Sequence, residues 1–127
     1  MRAFSKISQD WWDYTTLDRD ILDAAAGMVK ENEKAEFDEL YTMAKASYCH
    51  LRSTYLQTAF TRLRNAGTGK ADMLKYAREE LVLAKELHDI VLKDSRIGFE
   101  ASNHYYYTVN DLREKIINCE YVIEALS

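Results

Sequence analysis

Apolar residues recur along this chain at alternating spacings of three and four, which is the period of an α-helix with one buried face. The clearest run closes the sequence. Thr108, with Asp111 three residues later, forms a capping box at its start. The pattern predicts a final helix that packs on other helices at a shallow angle. Its apolar face comprises Val109, Leu112, Ile116, Cys119, Ile123 and Leu126.

The first thirty residues carry a weaker helical pattern. Thr15 and Asp18 match a second capping box, so residues 3–30 are predicted as either one bent helix or two. A polar stretch around Asn32 then predicts a turn between helices. The apolar face of the first part comprises Phe4, Ile7, Trp11 and Tyr14.

Two long helices are predicted in the middle of the chain, over about residues 34–64 and 70–93. Gly67 and Gly69 separate them, and glycine favours the left-handed conformation that often ends a helix. The first of the two is apolar on several sides, which predicts that it is the central helix with more than one neighbour. In the second, four charged residues are predicted to face water, namely Glu79, Glu80, Lys85 and Glu86.

Composition supports an all-α fold. The chain has 127 residues, no proline and only four glycines, so tight turns are scarce. A β-sandwich needs many turns, whereas a helix bundle needs three or four. We therefore predict a single domain over residues 1–127, folded as an antiparallel bundle of four or five helices.

Charge and motif content argue against several function classes. The formal net charge is −4 with both signs interleaved, which is unlike a nucleic-acid binder. No apolar run is long enough for a membrane helix, and no signal peptide is visible. We predict no catalytic residue, no metal ligand set and no cofactor. Cys49 and Cys119 lack metal or redox spacing, so both are predicted as free thiols.

Three tyrosines, Tyr41, Tyr48 and Tyr55, follow one another at seven-residue intervals along the long helix. They either pack against another helix of the chain or form a surface ridge that docks on a partner.

Residues 94–107 follow neither the helical nor the strand period. This segment combines charged, amide and aromatic side chains, a set that suits hydrogen bonding to a carbohydrate. A structural alternative stays open, in which Asp94 and Arg96 hold a turn, Ile97 and Phe99 plug the end of the bundle, and the tyrosines begin the last helix. The ligand or interface candidates are Arg96, Glu100, Asn103, His104, Tyr105 and Tyr106.

The run from Ser95 to Tyr107, followed by Asp111-Leu112 and by residues 114–121, resembles the C-terminal end of large bacterial proteins similar to glycoside hydrolases, notably of Bacteroides-type organisms. In such proteins a helical domain follows a catalytic barrel. The resemblance implies that this chain is a C-terminal domain taken from a larger protein, and that the catalytic carboxylates lie in the barrel.

Two functions follow as hypotheses. The first is a non-catalytic accessory domain that packs on the catalytic domain and lends loop residues to a carbohydrate site. The second is a free-standing interaction module that binds a partner, or a second copy of itself, through an aromatic face. A small enzyme or metal-binding bundle is the third and least favoured class.

Overall fold

The computed structural model describes residues 20–21, 23–100, 104–105 and 107–127. Residues 20–21 and 23–26 are helical, and a short 3-10 helix follows at Glu31–Glu33. Three long helices come next: α1 (Lys34–Ala66), α2 (Lys70–Lys93) and α3 (Val109–Leu126). The described part is therefore all-α in class, as predicted. The Thr15 capping box and the face from Phe4 to Tyr14 lie outside the described residues.

Local signals place the helix ends close to their predicted positions. Gly67 caps α1 in the left-handed conformation with φ of 64°, and its N–H donates to the carbonyl of Arg64. Gly69 is also left-handed and precedes α2. The Thr108–Asp111 capping box is present at the start of α3, because each side chain satisfies a backbone N–H of the other residue.

Among the described residues the central long helix is α2, whereas the sequence predicted a central role for α1. Helix α2 packs against both α1 and α3, the backbones of α1 and α3 do not contact each other, and α1 also contacts the 3-10 helix Glu31–Glu33. Helix α1 is apolar on several sides. One of them, through Ala46, Cys49 and Leu56, faces the core, while Leu40 and Met43 are exposed.

Two ion pairs fix the pairing of α1 with α2. Arg52 lies 2.6 Å from Glu79, and Lys45 lies 2.5 Å from Glu86. Residue numbers rise along one helix as they fall along the other, so these two helices run antiparallel. The buried core lies between them and is closed by Leu112 from α3.

Residues 99–105 contain a short ladder that the sequence pattern did not predict. Strand β1 (Phe99–Glu100) pairs antiparallel with β2 (His104–Tyr105). The register sets Glu100 opposite His104 and Phe99 opposite Tyr105.

Leu112 connects α3 to the core and is 3% exposed. We expect Leu112→Ala to lower the free energy of unfolding by about 2–5 kcal/mol, because it removes buried methyl groups and leaves a cavity. Urea denaturation measures this value. The matched change Ile117→Ala, on the exposed side of the same helix, should stay within about 0.5 kcal/mol of the parent. Equal losses in the two variants would contradict this core assignment.

Candidate functional site

An apolar groove with a cavity volume of about 460 Å³ lies between α1 and α3, above α2. It exists because α2 separates the other two helices and has a small side chain, that of Ala77, at this level. The α1 side contributes Leu56, Gln57, Phe60 and Thr61; α2 contributes Tyr76, Ala77 and Glu80; α3 contributes Asp111, Glu114, Lys115, Asn118, Cys119 and Val122.

An ion pair between a half-buried lysine and a buried glutamate lies along this groove. Lys115 Nζ is 2.5 Å from Glu80 Oε1 and donates to Ser53 Oγ at 2.8 Å. Ser53 Oγ in turn donates to Glu80 Oε1 at 2.6 Å. The amide of Gln57 donates to both Ser53 and Glu80. Two residues from α1 and one from each of α2 and α3 thus meet in a single polar layer beside the apolar core.

Glu80 was predicted to face water, and this prediction is wrong: the residue is only 6% exposed. Its neighbours explain the burial, because a carboxylate can leave water when an ammonium and hydroxyl and amide donors replace the lost hydration. The second oxygen, Oε2, is buried and has no hydrogen-bond partner among the described residues.

The spacing of the apolar residues in α2 and α3 indicates that Glu80 and Lys115 also face a neighbouring helix. Glu80 continues the run Ala77, Ala84, Leu87, and Lys115 continues the run Leu112, Cys119. Each lies at a three-four position among apolar residues, and such positions face a neighbouring helix whatever their side chain. A prediction based on position along the helix, rather than on residue type, would have placed both Glu80 and Lys115 at the helix interface.

Neither cysteine is placed to act as a nucleophile. Burial, followed by the nearby Glu86, raises the pKa of Cys49 to about 12. Burial also raises the pKa of Cys119, and the carboxylate of Glu80 adds to the effect. Both thiols stay protonated near neutral pH and are therefore weakly reactive. Both are free, as predicted.

The charged residues of segment 94–107 hold a turn. The Arg96 guanidinium donates to Asp94 at 2.6 and 2.9 Å and to Glu39 on α1 at 2.8 Å. The backbone N–H of Arg96 also donates to Asp94. The turn held by Asp94 and Arg96 agrees with the structural alternative, and the contact with Glu39, which was not predicted, completes a clasp that ties the chain after α2 to the first turns of α1.

The rest of segment 94–107 agrees only in part with the structural alternative. Ile97 packs against the core, but Phe99 is exposed and does not plug the bundle end. Gly98 is left-handed at φ of 89°, and a Cβ there would lie 2.7 Å from the Tyr107 ring. The Tyr107 ring stacks on His50 with centroids 6.3 Å apart. The segment is thus anchored on both sides of its ladder.

The described residues that line the groove between α1 and α3 include none of the ligand candidates. Glu100 and His104 are paired across the ladder, and Tyr105 lies beside them, while Arg96 is engaged with two carboxylates. Asn103 and Tyr106 lie outside the described residues. A carbohydrate site at this segment stays a prediction.

The tyrosine series divides along α1. Tyr48 is 8% exposed and belongs to the core, which corrects its assignment to a surface ridge. Tyr55 is half-buried and packs against that core. Tyr41 is half-buried, donates to Asp23 at 2.7 Å and stacks on Phe37. For this part of α1, packing within the chain is the main role of the tyrosines.

Two further findings bear on function. No cluster of three or more potential metal ligands occurs among the described residues, and none of the described helices is long and apolar enough to cross a membrane. Comparison with protein-family models, with curated proteins and with solved structures finds no match to this chain.

The polar layer predicts a non-additive response to mutation. We expect Lys115→Met to destabilise the chain by about 3–5 kcal/mol, because Glu80 then keeps an uncompensated buried charge. Adding Glu80→Met should recover most of the loss. Chemical denaturation of both variants measures the loss in the free energy of unfolding. As a control, Lys85→Met breaks an exposed pair with Glu120 and should cost about 0–1 kcal/mol. Simple addition of two losses in the double variant would refute the coupling.

The clasp predicts a response to acid. Hydrogen bonds from the Arg96 side chain, and then from its backbone N–H, lower the pKa of Asp94 from 3.8 to about 2. A lowered pKa contributes stability above the unfolded value, and this stability is lost as the pH falls through the folded one. We expect Asp94→Asn to flatten the melting-temperature profile between about pH 4 and pH 2. Profiles that stay parallel through this window would exclude the clasp as a source of acid sensitivity.

Proposed function

We propose that this chain is a non-catalytic helical docking domain, and that it packs on the catalytic domain of a glycoside-hydrolase-like protein through α3 and the adjoining groove. The observation that carries the proposal is the outer side of α3. Ile117 and Tyr121 lie one helical turn apart and are 63% and 71% exposed. Adjacent large apolar side chains at this exposure are typical of a binding surface.

The groove supports docking next to this side of α3. Glu114 and Asn118 line its mouth, and they lie on α3 within one turn of Ile117 and Tyr121. Apolar side chains from a partner can therefore continue from the exposed surface into the cavity. Tyrosine is a favoured anchor at such interfaces, because its ring buries a large area with few rotatable bonds.

The choice of partner rests on the sequence resemblance, which spans residues 94–121 and so includes the first two-thirds of α3. The turn held by Asp94 and Arg96, and the ladder after it, lead directly into this helix. The finer architecture, an antiparallel bundle of four or five helices, stays part of the proposal because residues 1–19 lie outside the described part. The same applies to loop residues that reach a carbohydrate.

Docking is tested with a bacterial glycoside-hydrolase barrel whose own sequence ends in a segment like Ser95–Tyr107, produced without that end. We expect isothermal titration calorimetry to detect a one-to-one complex with this chain. Tyr121→Asp should weaken it by at least about 2 kcal/mol, as expected for an interface anchor. Absence of measurable heat with any such barrel would rule out this partner class.

A matched control uses Val82→Asp, which also replaces an exposed apolar residue but lies on α2, outside the groove. It should leave the complex unchanged. Sedimentation equilibrium addresses the alternative of a free-standing module. A dimer that Tyr121→Asp dissociates would favour self-association over docking on a barrel.

A further inference from the structure

The two carboxylate oxygens of Glu80 are in very different states. Oε1 receives Lys115 at 2.5 Å, Ser53 at 2.6 Å and Gln57 at 3.3 Å. Oε2 receives no donor among the described residues, although the residue is more than nine-tenths buried. Buried polar atoms are nearly always hydrogen-bonded, and an orphaned acceptor is costly. Since Glu80 also lines the groove, a donor that enters the groove can satisfy this oxygen.

The groove around Glu80 is otherwise shaped for an apolar group. Leu56, Phe60, Ala77 and Val122 line it, and its volume of about 460 Å³ falls within the range of binding cavities in proteins. The donor that reaches Glu80 must therefore be carried on an apolar stem.

The charged residues that line the groove determine which charge a bound group can carry. Four charged residues line the groove: Glu80, Lys115, Asp111 and Glu114. The first two neutralise each other. Hydrogen bonds from the backbone and side chain of Thr108 lower the pKa of Asp111, which therefore stays ionised at neutral pH, and Glu114 is exposed. The surplus is negative, so a cation is attracted and an anion is repelled.

We propose that the groove receives an ammonium group on an apolar stem, supplied by a lysine of the docked partner, and that this ammonium donates to Oε2 of Glu80. This inference rests on the proposed docking function and names the chemistry that is docked. Lysine suits the site better than arginine, because a guanidinium fork needs two acceptor oxygens and Oε1 is already saturated.

Access to Oε2 requires a small side-chain movement, because this atom is buried. Gln57 lines the groove and is the most weakly held of the three donors to Glu80. Its contact with Glu80 is the longest of the three at 3.3 Å, and its side chain is exposed. Ser53 and Lys115 stay in place, so Glu80 keeps its counter-ion as the ligand ammonium enters.

Hexylammonium serves as the probe, with hexanol and hexanoate as neutral and anionic controls of the same length. Titration is followed by nuclear magnetic resonance on the backbone and side-chain amides of Gln57 and Asn118. We expect saturable binding of hexylammonium about tenfold tighter than that of hexanol, from one added charge-assisted hydrogen bond. Hexanoate should bind most weakly. Equal affinity for the three probes would overturn the proposal.

Two variants locate the effect. Glu80→Gln combined with Lys115→Met keeps the site neutral and should abolish the preference for hexylammonium over hexanol; a preserved preference would overturn the proposal. If this pair does not fold, Asn118→Lys provides the second route, because it adds a cation at an exposed position of the mouth. It should weaken hexylammonium and leave hexanol unchanged, and an unchanged hexylammonium affinity would again count against the site.

The docking proposal and the ammonium-site proposal can each be contradicted without the other. A barrel that binds this chain through Tyr121, together with no selection for hexylammonium, leaves docking in place and removes the ammonium site. Selective hexylammonium binding without a barrel complex keeps the ammonium site and removes the partner.

Discussion

The ion pair between Glu80 and Lys115 is the interaction on which the arrangement of the three long helices depends. An ammonium and a carboxylate that leave water tolerate only geometries in which each finds the other. Ser53 adds α1 to the pair through hydrogen bonds to both partners. Apolar contacts alone would allow the helices to slide by one turn at modest cost. The polar layer opposes such shifts, because any slip separates a buried charge from its counter-ion.

The other charge pairs between the helices, which are half-buried or exposed, repeat this rule more weakly. Lysine and arginine on α1 face glutamates on α2, and Lys85 on α2 faces Glu120 on α3. Each such pair contributes little to stability, yet a mismatched register would bring like charges together. The burial of Glu80 and the pairing of opposite charges between helices thus both favour the same helix register. The groove lies where α2 separates α1 from α3, and the long Lys115 side chain crosses this gap to Ser53 on α1.

The sequence predicted the helices well because their signals are local. The left-handed Gly67 and the Thr108–Asp111 box act on neighbouring backbone groups, so α1, α2 and α3 begin or end within about two residues of expectation. The central position of α2 among the three long helices was not predicted, since an apolar side does not reveal which helix covers it. The burial of Glu80 was not predicted, because the residue was assigned to the surface from its charge and not from its position among the apolar residues of α2. The ladder of Phe99–Glu100 with His104–Tyr105 is too short for a period to appear.

The connection at Gly67 and Gly69 has a kinetic consequence. Helices α1 and α2 are joined through three residues, so their contacts form without closing a long loop, which is the condition for fast folding. Helix α3 follows α2 through the fifteen residues 94–108, so its contacts close a longer loop than those between α1 and α2. The helix that carries the proposed docking surface is then expected to join the pair of α1 and α2 later in folding. A partner bound to this helix would favour the folded state by mass action, because it binds only the native arrangement.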